Sequence, residues 1–110
     1  MKSEINKLTN ISPDKEFWNG SIFRLYNVDR IDSKDKNDDY YDLMLTDMGL
    51  FAANTFAFIN VTIDSDNKGK VFALIENIET RYFITANDLH KHFDPVMELY
   101  YIPNWKQILL

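Results

Sequence analysis

The sequence predicts a single α+β domain over residues 1–110, with an antiparallel sheet of about four to six strands and about two or three short helices. At 110 residues the chain fits one domain, because a second domain of ordinary size needs more chain. Hydrophobic residues make up 45% of it and aromatic residues 15%, which is enough to build a core and excludes a mostly disordered chain. Short segments of β-forming residues are separated by turn residues, and this pattern favours antiparallel pairing.

The first twenty residues predict a short helix followed by a turn. Ser12 can cap a helix whose first position accommodates the fixed φ of Pro13, and Gly20 is a typical residue to end it. Residues 21–28 are rich in β-formers and predict the first strand.

The middle of the chain begins with a polar run, residues 32–39, which has no apolar anchor and is typical of a solvated loop. Residues 40–46 allow a strand or a helix. The alternation of Tyr41, Leu43 and Leu45 favours a strand. Residues 55–63 predict another strand, with a bulge near Ile59 where the alternation breaks.

Residues 64–69 supply turn chemistry and residues 70–76 a returning strand, so this part predicts a hairpin with a loop of about five or six residues. The loop partly resembles the calcium loop of an EF-hand. However, Lys68 stands at the fifth position, and Ile75 stands at the twelfth, where a bidentate Glu is required. A turn is therefore expected here, with no calcium.

Residues 81–84 predict a further strand, and a helix follows it. Thr85 and Asp88 have the spacing of a capping box, with Asp in place of the usual Glu or Gln. Leu89 and Phe93 are four residues apart and give this helix its buried edge.

The C-terminal part predicts one more strand. Pro95 disfavours continuation of the preceding helix, and residues 96–102 alternate enough for a strand that Pro103 ends. Asn104 is expected to cap a terminal turn over residues 105–110.

The composition is acidic, with 17 acidic against 12 basic side chains and a formal net charge of −5. Such a surface repels phosphate backbones and attracts basic partners, which argues against direct nucleic-acid binding. The absence of cysteine excludes disulfides and thiolate metal sites. The mixed polar N-terminus gives no sign of a leader, and no apolar run is long enough to span a membrane. We therefore expect a cytoplasmic location.

Candidates for chemistry are few, so the sequence predicts no catalytic residue, no metal site and no cofactor. His90 and His92 are the two histidines, and on a helix His92 shares a face with Asp88, as His90 does with Asp94. Two ligands are too few for a structural zinc site, and the polar side of an amphipathic helix accounts for these residues. The glycines are not spaced to bind phosphate.

Aromatic residues beside carboxylates are the remaining feature. They predict a partner-binding site made of Asp35, Asp38, Asp39, Tyr40, Tyr41 and Asp42. Tyrosine is enriched at binding hot spots because it buries a large area at low entropy cost. A rim of carboxylates around it suits a basic partner. The alternative is that these aromatic residues only pack within the sheet.

In size, acidity, lack of cysteine, richness in asparagine and α+β pattern, the chain resembles the small immunity proteins of bacterial polymorphic toxin and contact-dependent growth inhibition systems. The resemblance implies an inhibitor that binds one cognate toxin domain, often a basic nuclease. Two alternatives remain: a phage-type inhibitor that mimics nucleic acid, and a small enzyme or ligand-binding domain built around His90 and His92. Exposed strand edges would equally allow a homodimer, so the sequence leaves the oligomeric state open.

Overall fold

The computed structural model describes residues 4–28, 40–76, 78–79, 82–94 and 97–103. In these ranges the strands are β1 (Glu16–Trp18), β2 (Ile22–Tyr26), β3 (Tyr40–Asp47), β4 (Phe56–Asn60), β5 (Val71–Ile75), β6 (Phe83–Thr85) and β7 (Glu98–Tyr101). One α-helix, α1 (Ala86–His92), and two short 3-10 helices, Glu4–Asn6 and Leu8–Asn10, complete the described elements. The predicted α+β class is confirmed.

All described strand pairs are antiparallel. Five strands form the main sheet in the order β5-β4-β3-β2-β7, and β1 pairs with β6 in a second, two-stranded sheet. The main sheet has β5 at one edge and β7 at the other. At the β7 edge, Lys7 forms an isolated bridge with Tyr100, so the N-terminal segment lies along that strand.

The core joins the main sheet to the smaller one and to α1. Leu43, Leu45 and Phe58 of the main sheet are fully buried in one cluster with Phe17 of β1 and Leu89 of α1. Burying a side chain of this size contributes about 1.5–3 kcal/mol. Residues of β1, β6 and α1 share this cluster with the main sheet, so they form the second layer of one compact domain.

The helix predicted after Ser12 and Pro13 is wrong. The chain makes a turn there, in which the Lys15 amide donates to the Ser12 carbonyl at 3.0 Å, and then enters β1. Phe17 is buried between two exposed neighbours, which is the two-residue period of a strand. It pairs with Ile84 of β6. Local capping signals favoured a helix, but pairing with a distant strand determines the structure.

The predicted hairpin of β4 and β5 is confirmed, although its loop, residues 61–70, is longer than expected. The Gly69 amide donates to the Asn60 carbonyl at 2.7 Å, and the Asn60 amide donates to the Lys70 carbonyl at 2.9 Å. Two residues thus oppose one, and Gly69 has φ +89°, so the loop closes on a glycine bulge. The register also shifts between Phe58 and Ile59, whose partners are Ala73 and Val71. The extra residue is Phe72, so this irregularity lies on β5 and not on the strand in which a bulge was predicted.

The predicted capping box is also confirmed at the start of α1. The Thr85 amide donates to Asp88 Oδ2 at 2.9 Å, and the Asp88 amide donates to Thr85 Oγ1 at 3.2 Å. Leu89 and Phe93 are buried as expected. The predicted terminal turn after Asn104 lies outside the described residues.

Candidate functional site

The predicted binding residues do not form one surface in the part that the structure describes. Tyr40, Tyr41 and Asp42 are successive residues of β3, so Tyr41 lies on the opposite face of the sheet from the other two. Tyr41 packs against the core cluster, and its ring centroid lies 5.8 Å from that of Phe72. Asp35, Asp38 and Asp39 lie outside the described residues.

Asp42 has a role inside the sheet. It lies directly opposite Arg24 on β2 and accepts hydrogen bonds from Arg24 Nε at 2.7 Å and from Arg24 Nη2 at 3.0 Å. Asp42 is 3% exposed. Both carboxylate oxygens of Asp42 thus bond to the guanidinium within the sheet, which leaves the side chain almost no surface for a partner to contact.

Tyr40 completes this arrangement from the same face of β3. The guanidinium carbon of Arg24 lies 4.0 Å from the centroid of the Tyr40 ring, which is a cation–π geometry. Burial acts to lower the pKa of Arg24, but the hydrogen bond and charge of Asp42 outweigh it and hold the pKa above its ordinary value. Arg24 is therefore a fixed cation that ties two strands together.

The second aromatic–acidic stretch noted in the sequence, around Tyr100, is likewise partly structural. Tyr100 is buried, and its hydroxyl donates to Glu4 Oε1 at 3.2 Å, with Glu98 Oε2 at 3.5 Å. Burial, followed by the bond to Glu4 and the charge of Glu98, raises the pKa of Tyr100 to about 12. This contact connects the N-terminal 3-10 helix to β7.

The two histidines lie on α1 without a shared ligand geometry. His92 is exposed, and its Nδ1 is 3.0 Å from the carbonyl oxygen of Asp88. The Asp88 carboxylate accepts from the Thr85 amide in the capping box. Within the described ranges, no group of three or more histidine, cysteine or acidic residues could hold a metal ion.

Sequence reasoning missed an exposed apolar surface at one end of the main sheet. We call it the tip patch and define it by Trp18, Leu50, Phe51 and Tyr82. Leu50 is 94% exposed and Phe51 86%, while Trp18 and Tyr82 are each more than half exposed. Scattered exposed apolar residues are normal, but a contiguous group of large ones indicates an interaction site.

The turn between β3 and β4 holds Leu50 and Phe51 outward. The amides of Phe51 and Ala52 both donate to the Met48 carbonyl, at 2.9 and 2.8 Å, and the Met48 amide donates to the Thr55 carbonyl at 3.0 Å. The Gly49 amide donates to Asp47 Oδ1 at 2.8 Å. These bonds fix the backbone of the turn on which Leu50 and Phe51 are exposed.

The other two residues of the tip patch, Trp18 and Tyr82, are brought to the same end of the sheet by contacts of β1 and the segment after it. The Gly20 amide donates to the Leu45 carbonyl at 2.7 Å, and the Asp47 amide donates to Asn19 Oδ1 at 2.8 Å. The ring centroids of Trp18 and Phe83 are 5.2 Å apart, with the rings tilted at 39°, and Phe83 is next to Tyr82 in the sequence. The result is an open cleft of about 290 Å³ lined by Asn19, Asp47, Gly49, Leu50 and Tyr82.

This cleft combines apolar walls with one carboxylate and one amide, and Trp18 and Tyr82 beside it are residue types that are enriched at binding hot spots. A sequence signal existed: Leu50 and Phe51 follow Gly49 within the uncharged stretch 48–63. The sequence does not place them at a turn, and apolar residues between two strands are otherwise expected in the core.

No protein family, characterised protein or solved structure matches this chain. The residues that the structure describes contain no helix of the length and apolarity needed to cross a membrane.

Proposed function

We propose that this chain is a protein-binding inhibitor of the immunity type, which neutralises one cognate toxin domain by direct contact. The observation that carries the proposal is the tip patch, where Leu50 and Phe51 are held almost fully exposed. Exposing such side chains gives up the stabilisation that burial would provide. A binding partner that covers them recovers it.

The free energy gained when a partner covers the tip patch is large enough for a binding hot spot. Burying Leu50 and Phe51 would contribute about 1.5–3 kcal/mol each. Trp18 and Tyr82 add two residue types that dominate binding energy at interfaces. The hydrogen-bonded turn around Met48 presents the apolar pair in a defined position, which lowers the entropy cost of binding.

Charge points to a basic partner. The formal net charge is −5, and Asp47 places a carboxylate in the cleft of the tip patch. Complementary charge accelerates encounter and disfavours wrong partners. A basic toxin domain fits both features, and a protein of this charge would compete with phosphate backbones for such a domain.

The test is capture of the partner from cells of the source organism, with the tagged protein and with two variants. In L50D/F51D the tip patch is disrupted by two carboxylates. In the control, Ile63→Asp changes another exposed apolar residue, in the loop after β4. We expect a basic protein to co-purify in stoichiometric amount with the wild type and with the control. The double variant should bind it roughly 10²–10⁴-fold more weakly.

Inhibition is tested with the purified partner. One equivalent of the wild type should abolish its toxic activity, while the double variant at the same concentration should leave it active. If the wild type, the double variant and the control all retained the partner equally, the tip patch would be excluded as the contact surface. A partner whose activity is unaffected by saturation would exclude the inhibitor function.

The acidic run over residues 32–39, which the sequence predicts to be a loop, gives a separate test of the predicted site. We propose that the carboxylates of this run attract the basic partner and so accelerate its association; they are Asp35, Asp38 and Asp39. Changing all three to Asn should slow association and flatten its dependence on salt, with little change in dissociation. An unchanged association rate would remove this loop from the contact surface.

A further inference from the structure

The cleft of the tip patch has a second cleft beside it, and one carboxylate lies between the two. Asp47 and Gly49 line both the cleft of about 290 Å³ beside Leu50 and a neighbouring cleft of about 330 Å³ that Phe56 also lines. Among the described residues that line either cleft, Asp47 alone carries a charge. A cation that enters from solvent therefore meets one carboxylate between apolar walls.

The position of Asp47 is set by hydrogen bonds on two sides. Its backbone amide donates to Asn19 Oδ1 at 2.8 Å, and its own Oδ1 accepts from the Gly49 amide at 2.8 Å. In the part of the chain that the structure describes, no lysine or arginine pairs with this carboxylate. Oδ2 is therefore available to accept from a cation of another molecule.

Further carboxylates lie at this end of the sheet. The Ile78 amide donates to the Asn54 carbonyl at 3.0 Å, which places the segment after β5 beside the second cleft. That segment carries Glu76 and Glu79, both exposed. The described lysines of the β4–β5 hairpin lie in its loop, at the opposite end of these strands. Complementary charge therefore favours a cationic group from a partner at the tip patch.

We propose that the cleft beside Leu50 binds an arginine side chain of the partner, with the guanidinium paired to Asp47 and the alkyl stem against Leu50. The inference rests on the proposed function, which supplies the partner that carries the arginine. It adds the chemical group that the tip patch recognises.

Arginine fits this cleft better than lysine does. A guanidinium is more weakly hydrated than an ammonium, so it loses less when it enters between apolar walls. Its planar fork can donate to Asp47 Oδ2 while its face lies against an aromatic ring. Tyr82, which is 62% exposed, lines the same cleft. Arginine is also enriched at protein interfaces, whereas lysine is depleted there.

The test is a titration of the full chain, labelled with nitrogen-15, with Nα-acetyl-arginine amide at low salt, followed by nuclear magnetic resonance. We expect saturable shifts in the backbone amides of Gly49 and Leu50 and in the side-chain amide of Asn19. Asp47→Asn removes the charge but keeps an oxygen that can accept from the Gly49 amide. This variant should bind the probe roughly fivefold more weakly, which is the upper value for an exposed ion pair. Asp14→Asn removes an exposed carboxylate from the turn before β1, and it should bind the probe as the wild type does.

Two related probes separate recognition of arginine from general attraction of cations. Nα-acetyl-citrulline amide has nearly the same shape without the charge, and it should produce no saturable shift at the cleft. Nα-acetyl-lysine amide has the same charge as the arginine probe, and it should bind roughly threefold more weakly.

Three results would overturn the proposal. They are the absence of a saturable shift at the cleft with the arginine probe, equal binding of that probe by Asp47→Asn and the wild type, and equal binding of the lysine and arginine probes. These results are distinct from a failure of the inhibitor function. A probe that binds as expected, with no basic protein captured, would support the arginine site and contradict the inhibitor function. A captured partner, with a cleft that ignores the arginine probe, would contradict the arginine site alone.

Discussion

The ion pair between Arg24 and Asp42 offers the most direct test of what holds the main sheet together. Asp42→Asn keeps the shape of the side chain and removes its charge. The guanidinium then faces one acceptor oxygen and an amide group that cannot accept from it. The side chains of Arg24 and Asp42 are 12% and 5% exposed, so solvent replaces little of what is lost.

The magnitude follows from this burial. Breaking a buried pair by removing one partner costs about 3–5 kcal/mol. Arg24 remains stacked on Tyr40 at 4.0 Å and retains slight solvent contact, which places the expected loss near 3 kcal/mol, at the low end of that range. A domain of this size has an unfolding free energy of about 5–15 kcal/mol, so the variant should lose a large share of its stability.

A double-mutant cycle separates the pair from its surroundings. The cycle uses Arg24→Met and Asp42→Leu, each of which leaves one buried charge without its partner and should cost about 3 kcal/mol or more. R24M/D42L removes both charges and should lie within about 1 kcal/mol of the wild type, because apolar replacements of a buried pair are often neutral. The pairwise coupling, which is the sum of the two single losses minus the loss in the double variant, should therefore be about 5 kcal/mol.

Urea unfolding followed by far-ultraviolet circular dichroism measures these differences. The transition midpoint should fall by about 1–3 M in the Asp42→Asn variant, with an unchanged slope. Asp14→Asn, at an exposed turn, is the control and should stay within about 0.5 kcal/mol of the wild type. Single variants that cost less than about 1 kcal/mol, or a double variant that costs their sum, would refute this account.

Three further predictions concern local features. Thr85→Ala removes the capping box at α1 and should cost about 1–2 kcal/mol in thermal unfolding, whereas Thr85→Ser should cost much less. The pKa of Tyr100 is about 12 in the folded state and about 10 in the unfolded state. The contribution of Tyr100 to the free energy of unfolding is therefore complete below pH 10 and is lost as the pH rises through 12. In the Tyr100→Phe variant the free energy of unfolding should depend less on pH over that range. Gly69→Ala meets no atom within 4 Å, so its cost, roughly 1 kcal/mol, would come from φ +89° alone, and Gly69→Asn should cost less.

The sequence predicted those parts of the fold whose signals are local. The capping box depends on two residues three apart, Thr85 and Asp88, and the strand β3 depends on the alternation of Leu43 and Leu45. Strand β1 was missed because its three residues are stabilised by pairing with β6, and nothing near Ser12 reveals that partner.

The candidate site was predicted less well, for two physical reasons. Because Asp42 is adjacent in sequence to two tyrosines and an acidic run, it was predicted to contact a partner. In the structure its main partner is Arg24, 18 residues earlier on the neighbouring strand. Leu50 was not singled out, because apolarity alone does not distinguish a core residue from one that a turn holds 94% exposed. Both cases concern side chains whose surroundings depend on how the strands are paired.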